Sequence, residues 1–378
     1  MTSRSDVQDV KEGLKLRIED WCRLLLPDGR RQGRLWVSYN PVTGDYDRSS
    51  PELKVALTGD IGAWKCWRSG DKGDVIGLAE YVKGYDFRAA MDLARDFLGL
   101  KRMSREERER FAQMAAKERR LSDERARQRE AWAIRMAEQI YLSGAPEGAG
   151  SAAEVHARAY YRQARGIDID RIVNRDRSTA RYGAAVEYWP LAQWRIEAGP
   201  DGRQRRVTVA DGPRFPAICS AMRTATGIFR AVHVTFLDPV RPAKADPGAG
   251  RSPRLMFGMA GGAAMWLTHG PEGAAPPQAQ AGHPLILSEG RETGDALALA
   301  IPEARVWACG SINGIGACPV GFPFVSRTLV AGENDWDNPQ AQRQLEAALA
   351  ALEACGPPLD LMRPHAGSDF NDLLKGDF

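Results

Sequence analysis

The last quarter of this 378-residue chain constrains its fold most. From Pro284 onward, short apolar runs alternate with amphipathic ones. PLILS (284–288), ARVWAC (304–309), SRTLVAG (326–332) and LDLMRP (359–364) have the length and composition of buried strands. ETGDALALAI, PQAQRQLEAALAALEA and DFNDLL have helical spacing. Such alternation predicts a parallel sheet flanked by helices, because parallel neighbours are joined by crossovers that pack back on the sheet. GSINGIGACPVGFP (310–323) is expected as a loop.

In a parallel sheet of this kind, ligands bind beyond the carboxyl ends of the strands. Here those ends are acidic. Glu289 follows the first strand directly, Glu333 and Asp335 follow the third with Asp337 two residues on, and Asp369 lies beyond the fourth. Any one of these acids also reads as a helix cap. Gathered at one sheet edge they would repel, and burying them unpaired costs several kcal/mol. A divalent cation resolves that conflict. Mg²⁺ or Mn²⁺ takes oxygen ligands and typically binds one or two carboxylates together with substrate phosphates.

Charge and composition narrow the rest. Lys plus Arg number 52 against 49 acidic residues, a formal +3, so overall charge does not single out nucleic acid and its distribution must. No apolar run approaches a membrane span, and the start MTSRSDVQDVKEGLKLR lacks a signal-peptide core, so a cytoplasmic protein without membrane contact is expected. The six cysteines form no C-x-x-C pair and the five histidines are dispersed, against a disulfide framework or a four-ligand zinc site.

The chain divides into four stretches. Residues 1–100 predict a small α/β unit: a helix at 18–26, strands in 34–41, 53–57 and 63–67, and helices ending at Gly84 and Gly99. Residues 101–145 begin with eleven basic and seven acidic residues up to Glu130, a solvated helical linker or a basic strut along nucleic acid, and Trp132, Met136 and Ile140 are spaced to dock. Residues 146–282 open with a Ser151/Glu154 capping-box spacing and turn β-rich from 181, with TATG (224–227) joining two strands as a hairpin. Residues 283–378 hold the alternating pattern. The fold class is thus multidomain, α/β and α+β, with a parallel α/β unit at the end.

LILSEGRETGDALALA, TLVAGENDWD and GSDFNDLL together resemble the Toprim domain shared by DnaG-type primases, topoisomerases and some nucleases. The form EGRETGDALALA followed by DFNDLL is most similar to primase-like proteins of phages, plasmids and integrated elements. The family's D-x-D is E-N-D here, with Glu333 in the first position. Residues 62–99 are similar to the end of the primase zinc ribbon, but Ser69 follows Cys66 at the next ligand position and the upstream pair is missing near NPVTGD. That implies a ribbon without zinc, held by packing that includes Trp36, Trp64 and Trp67. Those tryptophans alternatively form a stacking platform for unpaired bases beside Arg31, Arg34, Lys65, Arg68 and Lys72. Residues 156–267 resemble the segment before Toprim in primase catalytic cores, where Arg230, Lys244, Arg251 and Arg254 would face the metal site and bind template and nucleotide. His233 is expected on a strand face rather than as a base.

The resemblance implies a nucleotidyltransferase that makes short primers on single-stranded DNA. Glu289, Glu333 and Asp335 would be catalytic. With Asp337 they would hold Mg²⁺ or Mn²⁺ against nucleoside triphosphates, and Asp369, Trp64, Trp67 and Lys72 would help bind nucleotide and template. With no Walker A motif and a chain that stops at Phe378, a helicase is expected in trans. Two other readings use the same residues: a metal-dependent Toprim nuclease, and a nucleic-acid-binding adaptor with weakened catalysis.

Overall fold

Local sequence dictates most of the amino-terminal elements. The computed structural model describes residues 4–42, 51–67, 69–100, 105–198, 204–248, 250–334 and 337–376. These fall into two compact units, 1–128 and 129–378. In the first, helices α1 (Arg4–Leu16) and α2 (Ile18–Leu25) precede an antiparallel sheet of β1 (Arg30–Gln32), β2 (Leu35–Ser38), β3 (Leu53–Ala56), β4 (Trp64–Cys66) and β5 (Lys72–Gly73) in sequential order. Helices α3 (Gly77–Lys83) and α4 (Phe87–Leu98) follow. Each ends at a left-handed glycine, Gly84 and Gly99, as the sequence predicts.

This unit packs around Trp21, Trp36, Leu53, Val55, Trp64 and Leu78. Trp36 and Trp64 belong to that core, and Trp67 does not: it is 64% exposed. Asn40 Nδ2 donates to Cys66 Sγ at 3.3 Å and to the Tyr81 hydroxyl at 2.7 Å, so hydrogen bonds tie the hairpin ends where the ribbon pattern is incomplete. Helix α1 went unread in the sequence because its apolar residues are few, yet Val10 and Leu14 on one face are fully buried.

Helix α5 (Arg105–Leu142) begins in the first unit and ends in the second. Its polar composition leaves Met114 and Leu121 exposed. Its last turns carry Trp132 to 6.0 Å from Phe257 and bury Ala137. No helix of the described residues is long and apolar enough to cross a membrane.

In the second unit, β6 (Ala145–Pro146) leads to α6 (Ala152–Ala159), capped by Ser151 Oγ accepting from Glu154 N at 3.2 Å. The carboxylate of Glu154 does not close the capping box by a bond to Ser151. It turns instead to Gly148 N and Gly150 N, tying down the GAPEGAG turn. A π-helical turn, Tyr160–Ala164, continues α6. Strands β7 (Ala180–Glu187), β10 (Arg214–Arg223), β11 (Phe229–Phe236) and β12 (Arg254–Gly258) then form a sheet in the order β12-β11-β10-β7-β6. Between β7 and β10 the chain makes a separate ribbon of β8 (Gln193–Ala198) and β9 (Gln204–Ala210). The TATG turn joins β10 to β11, with Gly227 at φ 89°.

The final sheet contains β13 (Met265–His269), β14 (His283–Ser288), β15 (Arg305–Ala308), β16 (Val325–Ala331) and β17 (Leu359–Met362) in the order β13-β15-β14-β16-β17. The last four are parallel, as the alternation predicts, and β13 is an antiparallel edge. That edge strand precedes Pro284 in sequence and is joined to the sheet from before the alternating segment. The intervening Pro/Ala/Gly segment is tied down rather than free: buried Arg305 donates to His269 O at 2.6 Å and Ala274 O at 2.8 Å, and pairs with Glu272 at 2.8 Å. One core continues from Tyr160 and Tyr182 to Ile286 and Val306.

Helices α7 (Arg291–Ala300), α8 (Ile312–Ala317), α9 (Pro339–Glu353) and α10 (Phe370–Lys375) complete the unit. Helix α8 corrects the loop expected at 310–323. Its glycines conceal it from a propensity reading, but they are needed for close approach. A Cβ on Gly316 would lie 2.8 Å from Ala348 Cα of α9, and one on Gly314 would lie 2.4 Å from Cys309 O. Ser311 caps the helix, accepting from Gly314 N at 3.0 Å.

Candidate active site

Strand order fixes where a ligand can enter. β14 lies between β15 and β16; the chain leaves β14 toward β15 and leaves β16 toward β17, in opposite directions. The carboxyl edge between β14 and β16 is therefore the switch point of the parallel strands, where a crevice opens. The register places Ser288 opposite Ala331 and Ala308, and Ala331 opposite Met362, so all four strands end level. Neighbouring strands lie about 4.8 Å apart. Glu289 thus leaves β14 beside Gly332 and Glu333 at the end of β16.

Both glutamates are half-buried and line one small cavity of about 20 Å³. Ile312, Ile315 and Leu345 give it an apolar floor, and Gln342 and Arg363 share its wall. Backbone bonds hold the two acids in place. Gly310 N donates to Glu289 O at 2.8 Å, Ser288 Oγ donates to Gly290 O at 3.0 Å, and Arg363 Nη1 donates to Glu333 O at 2.7 Å. A glycine in α7 is required behind Glu289, since a Cβ on Gly294 would come within 2.6 Å of Ser288 Oγ. Arg363 was missed in the sequence, although the rule that found the acids points to it: it is the first residue after β17.

Glu289 also lines a second cleft, of about 170 Å³, with Arg254, His233, Ser252, Met256 and Gly310. A Cβ on Gly290 would lie 3.8 Å from Arg254 Nη1, so this exposed guanidinium stands over the Glu289–Gly290 turn. Arg251 is exposed on the preceding loop.

Other candidates are engaged elsewhere. Lys244 Nζ lies 2.9 Å from Glu292 Oε1. The same carboxylate accepts from the Tyr160 hydroxyl at 2.7 Å, and Arg165 Nε donates to that hydroxyl at 2.8 Å. Burial works to raise the Glu292 pKa, but the ammonium and the hydroxyl outweigh it and hold the carboxyl well below the usual range. Burial pulls the Lys244 pKa down against the attraction of Glu292. This pair balances the Lys244 charge with Glu292. Arg230 is likewise paired with Glu130 at 2.7 Å. Asp369 caps α10, accepting from Asn371 N at 2.8 Å, Asp372 N at 2.9 Å and Thr293 Oγ1 at 3.4 Å. Asp337 is exposed beside Asn338, the N-cap of α9. Asp335 lies outside the described residues, as does Arg68. In the first unit, Trp64 is 5% exposed, which removes it from any stacking role. Trp67 keeps an open ring, with Lys65 Nζ 4.2 Å and Lys54 Nζ 5.8 Å from its centroid, and Lys72 is exposed on β5.

Among the described residues, no group of three or more His, Cys, Asp or Glu side chains is placed to hold a metal ion. Glu289 and Glu333 supply two carboxylates in one cavity. That donor set fits a hard cation completed by water and substrate phosphate, and does not fit a closed thiolate or imidazole site.

His233 lies on β11 in the lining of the second cleft, 5% exposed, with Nδ1 lacking a hydrogen-bond partner among the described residues. Burial lowers its pKa to about 4. Between pH 6.5 and about 4 the unfolded chain therefore binds a proton that the folded one refuses, and stability falls as pH falls through that window. His233→Gln should flatten this part of the pH–stability curve by roughly 3 kcal/mol across the window. Denaturant titrations of both proteins at several pH values check this; parallel curves would contradict it.

Residues 284–377 match the family model described as Toprim domain, and residues 131–267 match a domain family of unknown function, DUF7146. No curated protein matches the sequence. Among solved structures, the zinc-binding and RNA polymerase domains of the Aquifex aeolicus primase are 12% identical, with a TM-score of 0.37, over 100% of this chain and 83% of that one. The E. coli primase catalytic core is 15% identical, with a TM-score of 0.39, over 64% and 75%. A DnaG primase catalytic domain bound to single-stranded DNA is 15% identical, with a TM-score of 0.38, over 67% and 79%. These superpositions are too loose to bear on function. The family match and the strand-end acids agree on one assignment: the carboxy-terminal part of this chain, residues 284–377, is a Toprim domain.

Proposed function

We propose that this protein is a primase-like nucleotidyltransferase, joining nucleotides from nucleoside triphosphates into short primers on a single-stranded DNA template. The observation that carries the reading is the joint placement of Glu289 and Glu333 in one cavity at the strand switch point, with Arg254 over the Glu289–Gly290 turn. Acids beside a free guanidinium suit a polyphosphate that arrives with its own cations.

In the reaction, the 3′ oxygen of the growing strand bonds to the α-phosphorus of the incoming nucleotide and the bond to pyrophosphate breaks. The hydroxyl proton leaves to the Glu289 carboxylate or to water beside it. Arg254 binds the phosphates and draws charge from the leaving group. Mg²⁺ or Mn²⁺ held by Glu289 and Glu333, with Asp335 and Asp337 as further candidate ligands, would neutralise developing charge and acidify the attacking hydroxyl. Glu333 reaches one methylene further than the aspartate of the family pattern, and the Arg363 bond to its backbone carbonyl helps set where that longer side chain starts. Arg251 and, in the first unit, Trp67 and Lys72 are the remaining candidates for template contact, and a helicase would come in trans. A cytoplasmic setting is part of this reading.

The test uses the full chain with single-stranded DNA, labelled nucleotides and Mg²⁺ or Mn²⁺. Labelled short products are expected. Arg254→Ala should raise KM for nucleotide by roughly tenfold or more, as loss of a charge-assisted phosphate contact requires. Shortening of labelled DNA without nucleotides would replace the reading with a nuclease. DNA binding with no product in either metal would replace it with an adaptor.

A further inference from the structure

Polar groups buried in a folded protein are almost always hydrogen-bonded, and one that is not calls for an explanation. His233 is such a group. It is 5% exposed, and its Nδ1 has no hydrogen-bond partner among the described residues. Nor is it sealed in a closed core, since it lines the cleft of about 170 Å³ that Glu289 and Arg254 share.

Strand register sets its place there. β11 and β12 run antiparallel, with His233 opposite Met256 and Thr235 opposite Arg254. Residues opposite one another, or two apart on one strand, share a face, so His233, Met256 and Arg254 lie on the same side of the sheet. Arg254 and Met256 are about 7 Å apart along β12, a span that a nucleotide covers from its phosphates to its sugar. Across the cleft stand Gly290 and Gly310, just past the ends of β14 and β15. Gly310 has φ 77°, and a Cβ there would lie 2.5 Å from Met256 Sδ and 3.7 Å from His233 Cδ2. Bare backbone on that side lets a ligand approach the carboxylate, the guanidinium and the imidazole together.

The other polar groups of the cleft have tasks. Ser252 Oγ accepts from Arg254 N at 3.1 Å and donates to Arg254 O at 3.0 Å. Glu289 is assigned to a cation and Arg254 to phosphate. His233 has no such task. Burial holds its pKa at about 4; Arg254, Arg291 and Lys244 push the same way, against Glu292. At neutral pH the ring is therefore uncharged, with one nitrogen a donor and the other an acceptor. A sugar hydroxyl, which also donates and accepts, matches it. A phosphate oxygen only accepts and is drawn to Arg254. The edge of a base differs among the four nucleotides, and an enzyme that copies a template must admit all four, so a fixed polar group falls on the part they share.

We propose that His233 is the sugar contact of this site, its imidazole hydrogen-bonding a sugar hydroxyl of a nucleoside triphosphate whose phosphates lie on Arg254 and the cation at Glu289. The choice of sugar over base rests on the primase-like reading, and the contact is measured without primer synthesis.

The experiment is calorimetric titration of the full-length protein in Mg²⁺ near neutral pH with ATP, 2′-deoxyATP, 3′-deoxyATP and inorganic tripolyphosphate. His233→Phe, which keeps a ring but no nitrogen, should weaken ATP binding by roughly tenfold and leave tripolyphosphate binding unchanged. His233→Gln, which restores a donor and an acceptor, should recover part of the loss. One of the deoxy analogues, the one lacking the hydroxyl that His233 meets, should bind wild type roughly tenfold more weakly than ATP does and bind His233→Phe no more weakly than wild type. A folded His233→Phe that binds ATP like wild type, or that loses ATP and tripolyphosphate alike, overturns the proposal. If that variant does not fold, wild type alone decides, since equal affinity for ATP and both deoxy analogues overturns it as well. Primer synthesis by the wild type, assayed separately, keeps the two claims apart. Synthesis with an ATP affinity indifferent to His233 removes only the sugar contact, and a His233-dependent ATP affinity without any synthesis removes only the primase-like reading.

Discussion

Glu289→Gln should reduce primer synthesis by about a thousandfold or more while leaving the melting temperature within a degree or two of wild type. Glu289 is half-buried, lines two cavities, and has its backbone carbonyl tied to Gly310 N at 2.8 Å, a bond that glutamine keeps. The substitution removes the negative charge and the proton-accepting oxygen but little volume. DNA binding carried by residues elsewhere should persist. A mutant that makes primers at the wild-type rate would refute the assignment of chemistry to this strand end. A mutant that fails to fold would instead make Glu289 structural, and thermal melts beside the assay distinguish the two results.

Lys244→Met should destabilise the second unit by about 3 kcal/mol, because removing one member of a largely buried ion pair strands the other. The stranded group is Glu292, whose carboxylate would keep the Tyr160 hydroxyl and lose its ammonium, and its side chain is 7% exposed. For a unit of this size the melting temperature should fall by roughly 6–12 °C. Lys244→Met/Glu292→Gln should recover more than half the loss, since neither charge then remains buried alone. If Lys244 were instead a free phosphate ligand, the single variant would melt like wild type and lose nucleotide affinity. Melts of both variants decide between these roles.

Much of the carboxy-terminal fold was legible because its signals are local. A strand of five apolar residues and a helix of period 3.6 can each be recognised within a dozen residues, and a parallel sheet follows from their alternation. Helix α8 was not legible. Gly314 and Gly316 lower its propensity, and what holds it is Ala348, more than thirty residues on, close enough that no Cβ fits between. The pairing of edge strand β13 was not legible for a related reason, since its partner β15 lies beyond a Pro/Ala/Gly segment.

The sequence by itself determined that a parallel α/β unit stands at the carboxy terminus and that Glu289 and Glu333 follow strands at one sheet edge, because both depend on short-range periodicity and on the direction of the chain; that those two strands are neighbours was decided by the tertiary structure. Only the tertiary structure decided which cations remain open to a ligand. Lys244, Arg230 and Arg254 look alike in the sequence. Glu292 and Glu130, distant along the chain, neutralise the first two and leave Arg254 over the acidic strand end. Charge pairing acts through space over a few ångströms, and no local pattern of residues records it.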